Sequence, residues 1–327
     1  MDQTRLRRRS ISIARVALLW VLVGVLLPVL VLVAGVVDAA TRARWVRVRL
    51  LLFLWVYLSY DLIGVLVASW LALTRQVDDP RYRLGHYRLQ SWWCAKLLAI
   101  GAWLMQLRFE QHGQECLVGG PILVFMRHTS FIDVLLGENF VARPNGYHLR
   151  YVLKRELMAD PALDIVLSRL PNCFVNRKGD SARERARVRH IAHDMSPNDA
   201  ALIYPEGTRF LPKTLAKIQA KFKANSPELY PYCAQLRRVL PPRLGGPFAL
   251  LDGAPNADVV FVCHTGLDGY DTAKSMFSGE IVGRTIRLSY WRVPAESIPR
   301  DFEERVAWMY AQWIHLDRVA QQLGETG

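Results

Sequence analysis

An uncharged apolar run near the start of the chain constrains the fold more than any other feature. Val16 to Val37 is a stretch of 22 residues without a charge. About 20 apolar residues are enough to cross a bilayer as a helix. A secretory signal peptide has a shorter apolar core of about 7–15 residues, followed by small residues at its cleavage site. Ala34-Gly35 and Ala39-Ala40 leave cleavage open, but a second apolar segment favours a membrane anchor.

The second apolar segment runs from Leu50 to Leu73 and is interrupted by Asp61. Because cytoplasmic loops are enriched in positive residues, two full crossings would put the arginine-rich linker between the segments on the wrong side. A hairpin that enters only one leaflet avoids this conflict, with Pro28 and Asp61 at its bends. Both arrangements stay open, and so do a functional and a purely structural role for Asp61. The flanking arginines are Arg5, Arg7, Arg8, Arg9 and Arg15, then Arg42, Arg44, Arg47 and Arg49, then Arg75, Arg81 and Arg83.

A third stretch, Ser91 to Phe109, is rich in aromatic residues and contains Lys96. This pattern favours a helix that lies in the headgroup region over a buried helix of a soluble domain. We therefore predict a membrane anchor over residues 1–80, an interfacial or linking region over 81–112, and a catalytic domain over 113–327.

Composition narrows the class of partner. The chain has 42 basic and 29 acidic residues, a formal charge of +13, which suits nucleic acid or anionic lipid. No recognised nucleic-acid-binding pattern accompanies the charge, and the arginines cluster beside the apolar segments, so lipid is favoured. The five cysteines form no C-x-x-C pair, which predicts reduced thiols in a cytosol-facing domain, with no disulfide framework and no metal site.

After residue 113 the pattern predicts strands alternating with helices, which is typical of an α/β domain. The fold predicted for the chain is a mainly β-sheet core flanked by helices, preceded by membrane-embedded helices. Helices are predicted after Thr129 or Ser130, over Ser181–Met195 and over Asp301–Leu323. The predicted strands are Pro121–Met126, Tyr147–Lys154, Leu170–Gly179, Asp199–Phe210, Asp258–Leu267 and Thr285–Val293.

The first polar motif, His128-x-x-x-x-Asp133, directly follows a predicted strand. Five helical positions turn the chain by roughly 500°, so the two residues would not share a helical face. They can meet if His128 lies in the loop and Asp133 in the first helical turn. The carboxylate would then orient the imidazole as a general base. The spacing alone also occurs by chance.

Two further motifs follow predicted strands. Glu206-Gly207-Thr208-Arg209 combines a glycine that permits a sharp turn with a guanidinium suited to phosphate. Arg177 and Lys178 end another strand, and Arg243 lies in the loop LPPRLGG. Taken alone, the first two clusters are more typical of an exposed turn and a solvated charge run. The loop around Arg243 is equally compatible with a shaped loop near a ligand and with a plain surface turn.

In combination, the order and spacing of the motifs resemble the glycerolipid acyltransferases, the family of 1-acylglycerol-3-phosphate acyltransferases. The resemblance rests on His128-x-x-x-x-Asp133, Phe174-Val-Asn-Arg177 and Glu206-Gly-Thr-Arg209, and it covers residues 121–267. The long insertion that reaches LPPRLGG is similar to the lysocardiolipin acyltransferase-like branch. Asn176 departs from the usual second motif, and the strand from Val259 to His264 lacks the family's proline, which puts substrate preference in doubt.

The resemblance implies transfer of an acyl chain from a thioester to the hydroxyl of a lysophospholipid, foremost 1-acyl-sn-glycerol 3-phosphate. His128 would be the general base and Asp133 its orienting partner, with no metal or cofactor. Acyl-coenzyme A or acyl carrier protein would be the co-substrate, and membrane lipids the surroundings. His264 is an additional candidate, although a lone histidine on an apolar strand is more often structural. The substrate-binding residues implied are Arg177, Lys178, Glu206, Gly207, Thr208, Arg209 and Lys154.

Several alternatives stay open at this level. The acceptor could be another lysophospholipid or a hydroxylated or amine-bearing lipid, and water as acceptor would make the chain a thioester hydrolase. A non-catalytic membrane scaffold is disfavoured by the intact motifs. The expected location is a bacterial inner membrane, with the catalytic domain facing the cytoplasm.

Overall fold

A computed structural model describes residues 3–176, 180–270 and 273–325. These residues contain one mixed sheet around which the helices of the catalytic region pack. Its strands are β1 (Arg108–His112), β2 (Ile122–Met126), β3 (His148–Lys154), β4 (Cys173–Val175), β5 (Asp199–Ile203), β6 (Asp258–Thr265) and β7 (Thr285–Val293).

The sheet has the order β1-β7-β6-β2-β5-β3-β4. Strands β6, β2, β5, β3 and β4 are mutually parallel, whereas β7 pairs with β6 in the antiparallel sense and β1 is parallel to β7. The carboxyl ends of the five parallel strands therefore meet at one edge. In open α/β sheets this edge is where ligands usually bind.

Helices cover both faces of the sheet. The described residues form these α-helices: α1 (Gln3–Thr41), α2 (Val46–Thr74), α3 (Pro80–Met105), α4 (Asp133–Leu136), α5 (Arg143–Asn145), α6 (Pro161–Leu167), α7 (Ser181–Ala192), α8 (Pro212–Asn225), α9 (Tyr230–Cys233), α10 (Gly245–Gly253), α11 (Ala273–Met276) and α12 (Phe302–Glu325). A π-helical turn, Gly137–Ala142, joins α4 to α5, and short 3₁₀ turns cover Gln114–Leu117, Arg155–Ala159 and Ala295–Ser297.

The central strand β2 explains why the core has two halves. All five of its residues are buried, and successive side chains point to opposite faces. Val124 belongs to the cluster that includes residues of α3 and α4, and Phe125 to the cluster that includes residues of α7, α10 and α12. A continuous apolar strand of this kind is expected where helices cover both faces of a sheet.

Helices α1 and α2 form an antiparallel hairpin with a linker over residues 42–45. Trp20 stacks on Trp55, and its indole N–H donates to Ser59 Oγ at 2.8 Å. Both helices are long and apolar enough to cross a membrane, and both continue unbroken through Pro28 and Asp61. Those two residues therefore end neither helix.

Two elements differ from the sequence-based expectation. Helix α3 ends at Met105, and the following Gln106 adopts a left-handed φ of 54°. The strand β1 that comes next was not predicted, because only its second residue, Phe109, is apolar and partly buried. The sheet thus begins before residue 113, and the domain boundaries stay a prediction. One face of α3 is buried, although Trp103 is 76% exposed.

Candidate active site

His128 and Asp133 form a hydrogen-bonded pair at the carboxyl end of β2. His128 lies in the loop after the strand, and Asp133 is the first residue of α4. The distance from His128 Nδ1 to Asp133 Oδ2 is 2.9 Å. Because a carboxylate only accepts, Nδ1 donates this hydrogen bond, and in the neutral ring Nε2 is the nitrogen with the lone pair. This is the loop-to-first-turn arrangement that the sequence spacing required.

The carboxylate of Asp133 is fully buried and held by its own loop. Oδ2 accepts the backbone N–H groups of Thr129 and Ser130 at 2.6 and 2.9 Å, and Oδ1 accepts the hydroxyl of Ser130 at 2.6 Å. Burial by itself would raise the pKa of Asp133, but the neighbouring imidazoles of His264 and His128 outweigh it and hold that pKa well below its usual range. Asp133 is thus a fixed negative charge behind His128.

A second histidine, His264 on β6, approaches the same carboxylate from the other side. Its Nε2 lies 3.0 Å from the carbonyl oxygen of Arg127 and 3.6 Å from Asp133 Oδ1. The ring is completely buried, and its Nδ1 has no hydrogen-bond partner among the described residues. His264 therefore contacts both the peptide that precedes His128 and the acid that orients it, without reaching the solvent.

Glu206 is buried beneath the His128 loop and does not line the cavity that opens beside His128. We expected a substrate contact, but Glu206 is only 2% exposed. Its Oε1 accepts the backbone N–H of His128 at 2.7 Å, and its Oε2 accepts that of Leu240 at 2.8 Å. Both oxygens are thus used to connect the loop after β5 with the loop that carries His128. Burial raises the pKa of Glu206 to about 8, against the lowering effect of Arg127 and these two N–H groups.

Arg127, directly before His128, is a buried structural residue. Its guanidinium donates to the carbonyl oxygens of His264 and Arg238, both at 2.6 Å. It also forms a 2.5 Å ion pair with Asp268. With these acceptors around it, Arg127 fixes the start of the His128 loop and leaves no side-chain nitrogen directed at a substrate.

A cavity of about 400 Å³ opens beside His128 at the carboxyl ends of β2, β3, β4 and β5. One part of its wall is apolar, with Val134, Val152, Leu153 and Leu157. Another part is basic and has one carboxylate, Glu184. The cavity can therefore hold an apolar chain and an anionic group at the same time. The cations on its wall are Lys154, Arg185, Arg209 and Arg243.

Gly207 and Arg243 fit together in the wall of the cavity. Gly207 has a φ of +65°, and a β-carbon at this position would lie 2.8 Å from Arg243 Cδ. The backbone N–H of Arg243 donates to the carbonyl oxygen of Pro205 at 2.8 Å. On the opposite side, the guanidinium of Arg209 lies 3.8 Å from the ring centroid of Phe131. Aromatic stacking fixes the direction of the half-buried Arg209 side chain.

The structure brings most of the predicted site residues together. His128, Lys154, Gly207 and Arg209 line the cavity, with Asp133 behind His128, whereas Glu206 and Thr208 do not line it. Arg177 and Lys178 lie outside the described residues, so their roles stay predictions.

Two cations on the cavity wall are not among the predicted substrate-binding residues, although a shaped loop near a ligand is one of the two interpretations of the loop around Arg243. Arg185 is on α7, and Arg243 is in the loop before α10. Their chain positions give no direct signal, although the glycine at 207 leaves room for Arg243. The ring of Tyr204, whose centroid is 4.6 Å from that of His128, also lines the cavity and was not predicted.

Comparisons with known proteins found a matching family model and a similar solved structure. Residues 108–234 match the family model described as acyltransferase. The crystal structure of the 1-acyl-sn-glycerophosphate acyltransferase PlsC from Thermotoga maritima superposes with a TM-score of 0.48 and 12% sequence identity, over 80% of this chain and 97% of that one. A search of curated protein sequences finds no match. The matched segment, 127 of the 327 residues, contains all three motifs and is similar to the acyltransferase family.

Proposed function

We propose that this chain is a membrane-bound O-acyltransferase that moves a fatty acyl group from a thioester to the free hydroxyl of a lysophospholipid, with 1-acyl-sn-glycerol 3-phosphate as the foremost acceptor. The observation that carries the proposal is the 2.9 Å pair between His128 and Asp133 at the wall of a cavity that is both apolar and basic. Such a cavity suits the acyl chain and the phosphate of one and the same lipid.

The chemistry follows from the protonation state of His128. Its Nε2 accepts the proton of the acceptor hydroxyl while that oxygen attacks the thioester carbonyl carbon. The resulting imidazolium lies next to the buried charge of Asp133, which stabilises it. When the tetrahedral intermediate collapses, the carbon–sulfur bond breaks and the imidazolium returns the proton to the thiolate. Base catalysis of this kind contributes about 10²–10⁴-fold to the rate.

Guanidinium and ammonium groups would hold the acceptor's phosphate. Arg209 and Arg243 face the cavity from the two loops beside Gly207, and Lys154 faces it from the end of β3. Planar guanidinium groups form paired hydrogen bonds to phosphate oxygens, which fixes the orientation of the acceptor as well as adding affinity. Arg177 and Lys178 complete this set in the proposal.

The position of α1 supports the one-leaflet hairpin over two crossings. Arg8 and Arg9 pair with the buried Asp164 at 2.8 and 3.1 Å. At the other end, Arg44 donates to the carbonyl oxygen of Val282 at 3.0 Å. The 39 residues of α1 span about 58 Å, so the helix lies along the catalytic region and is attached to it at both ends. A helix held in this way enters the same membrane surface that the catalytic region faces, which we propose is the cytoplasmic face of a bacterial inner membrane.

The test is thiol release from an acyl-coenzyme A by the purified, detergent-solubilised protein, with and without 1-acylglycerol 3-phosphate. We expect release that depends on the acceptor and yields a diacyl product. His128→Ala should lower kcat by about 10²–10⁴-fold. His190→Ala, which removes an exposed histidine from α7, should leave it unchanged.

Each other outcome has a distinct meaning. Equal rates in the His128→Ala variant and the parent would refute the general-base assignment. Release without any acceptor would identify a thioester hydrolase. Activity that appears only with acyl carrier protein, or only with a different lysophospholipid or an amine-bearing lipid, would keep the reaction class and change the substrate.

A further inference from the structure

A second cavity lies at the tip of the α1–α2 hairpin, and no residue of the candidate active site lines it. Its volume is about 300 Å³. The linker of the hairpin contributes Arg42 and Arg44, and the segment that leads into β7 contributes the rest of the wall. From that segment come Ser278, Gly279, Glu280 and Arg284.

The charges around this cavity are strongly unbalanced. Three guanidinium groups face a single carboxylate, that of Glu280, whose side chain is 70% exposed. Arg284 pairs with the Glu280 carboxylate at 3.8 Å and donates its Nε to the carbonyl oxygen of the same residue at 3.0 Å, so one of the three positive charges is compensated. Arg44 donates to the carbonyl oxygen of Val282 at 3.0 Å. Within the described residues, the exposed side chain of Arg42 makes no hydrogen bond or ion pair. The site therefore has positive charge that these contacts leave uncompensated.

The two segments that form the cavity are closely packed. Gly279 has a φ of +79°, and a β-carbon there would lie 2.6 Å from the carbonyl oxygen of Ala43. In the linker, Arg42, Arg44 and Trp45 all have left-handed φ values, 53°, 53° and 58°. Side chains other than glycine rarely adopt this conformation, and it is often found at ligand sites. The backbone thus holds both linker arginines at the cavity.

Exposed aromatic residues lie on the two segments that form the cavity and on α3, which contacts one of these segments. Trp45 is 54% exposed on the linker, Phe277 is 42% exposed next to Ser278, and Trp103 is 76% exposed near the end of α3. The end of α3 contacts the segment that leads into β7, since Gly283 donates its N–H to the carbonyl oxygen of Met105 at 2.8 Å. Exposed aromatic side chains of this kind are enriched at the headgroup level of membranes.

We infer that this cavity binds the phosphate group of an anionic membrane phospholipid. The arginines supply planar donors for phosphate oxygens, and the exposed aromatics and the apolar helices α1 and α2 would lie among the acyl chains beside it. The inference rests on the membrane association in the proposed function. It adds a lipid site that is separate from the acceptor site at His128.

The experiment measures lipid binding and not activity, so its failure is distinguishable from failure of the proposed acyltransferase reaction. The detergent-solubilised full chain is titrated with phosphatidylglycerol and with phosphatidylcholine of the same acyl chains, with tryptophan fluorescence as readout. We expect saturable binding of phosphatidylglycerol and much weaker binding of phosphatidylcholine. The double variant Arg42→Gln/Arg44→Gln should bind phosphatidylglycerol about tenfold more weakly or worse.

A matched double variant, Arg300→Gln/Arg318→Gln, removes the same charge from two exposed positions that line none of the cavities described above. It should bind like the parent. Arg42→Gln alone tests the site without removing the bond from Arg44 to Val282, in case the double variant does not fold. Parent-like binding by the folded Arg42/Arg44 variant would overturn the inference. Displacement of the lipid by equimolar inorganic phosphate would overturn its assignment to a lipid.

Discussion

Asp133 is the residue through which the two histidines of the site are connected. One of its oxygens orients His128, and the other lies 3.6 Å from His264 Nε2. Of these two histidines, His128 lines the cavity and His264 does not, so His128 is the one that can touch a substrate. In the proposed reaction His264 would act through Asp133 and through the carbonyl group of Arg127, as a positioning residue.

Replacing His264 with phenylalanine should therefore lower kcat and leave KM for the acceptor unchanged. The loss of a single hydrogen bond to the His128 loop is worth about 1–1.5 kcal/mol, or about tenfold in rate. His264→Gln, whose amide can still donate to the carbonyl of Arg127, should recover part of that loss. Steady-state kinetics of both variants against acceptor concentration checks this, and a rise in KM with unchanged kcat would contradict the assignment.

Glu206 gives a prediction about pH. Its pKa is about 8 in the folded chain because of burial, compared with about 4.3 when exposed. Between pH 4.3 and 8, roughly, the Glu206 carboxyl is protonated in the folded chain and ionised in the unfolded chain. The contribution of this proton to the free energy of unfolding is therefore present at low pH and is lost as pH rises through about 8. As the pH is raised from 5 to 9, the midpoint temperature of thermal unfolding of the parent should fall relative to that of the Glu206→Gln variant. A difference that stays constant across this range would show that the carboxyl is ionised throughout.

At the scale of elements, the parallel direction of the strands brings the residues of the site together. His128 follows β2, Lys154 ends β3 and Glu206 follows β5, and all three strands run the same way. Parallel strands bring residues far apart in the chain to one edge of the sheet. The turn at Gly207 and the loop at Arg243 then close that edge into a cavity.

Gly207→Ala should disturb this closure through Arg243. The new β-carbon would meet Arg243 Cδ at 2.8 Å, and the φ of +65° adds strain of about 1–2 kcal/mol. We expect a higher KM for the phosphate-bearing acceptor. Adding Gly207→Ala to Arg243→Ala should then raise KM no further, because the two changes act on one contact.

Gly146→Ala is the matched control for that prediction. Its φ is +71°, and nothing lies within 4 Å of a β-carbon built there. The control should show the backbone strain as a loss of stability without the change in KM. An equal change in KM for both alanine variants would mean that Arg243 has no special part in acceptor binding.

At the scale of the whole molecule, the main feature is the attachment of the apolar α1–α2 hairpin to the catalytic region. The first turns of α1 contact the catalytic region through the ion pairs to Asp164, and the linker that follows α1 contacts it through the bond from Arg44 to Val282. Between these contacts many apolar side chains of α1 remain exposed, such as Val25 at 72% and Leu32 at 69%. An exposed apolar surface of this length fits the membrane association in the proposed function, and the attachments place it beside the catalytic region.

Membrane topology can be tested with single cysteines at the two ends of α1. Leu6→Cys and Thr41→Cys are made in a Cys116→Ser background, because the other four cysteines are buried. In a one-leaflet hairpin, both new thiols should react with a membrane-impermeant maleimide in inverted membrane vesicles and neither should react in intact spheroplasts. Reaction of the two thiols from opposite sides would establish that α1 crosses the bilayer.

The sequence by itself determined the α/β class, the position of most strands and the pairing of His128 with Asp133. These features depend on local information: apolar runs of strand length, and a spacing that only a loop followed by a helical turn can satisfy. The motif order further indicated a resemblance to the acyltransferases, because three short patterns in fixed order are far more specific than any one of them.

The tertiary structure alone decided what each polar residue contacts. Glu206 resembles a ligand-binding acid in the sequence, yet burial gives both of its oxygens to backbone N–H groups. Arg243 and Arg185 enter the site only because α7 and the loop before α10 fold over the same sheet edge. Strand β1 pairs with β7 across more than 170 residues of chain. Such contacts depend on sheet order and on side chains distant in sequence, which no local pattern records.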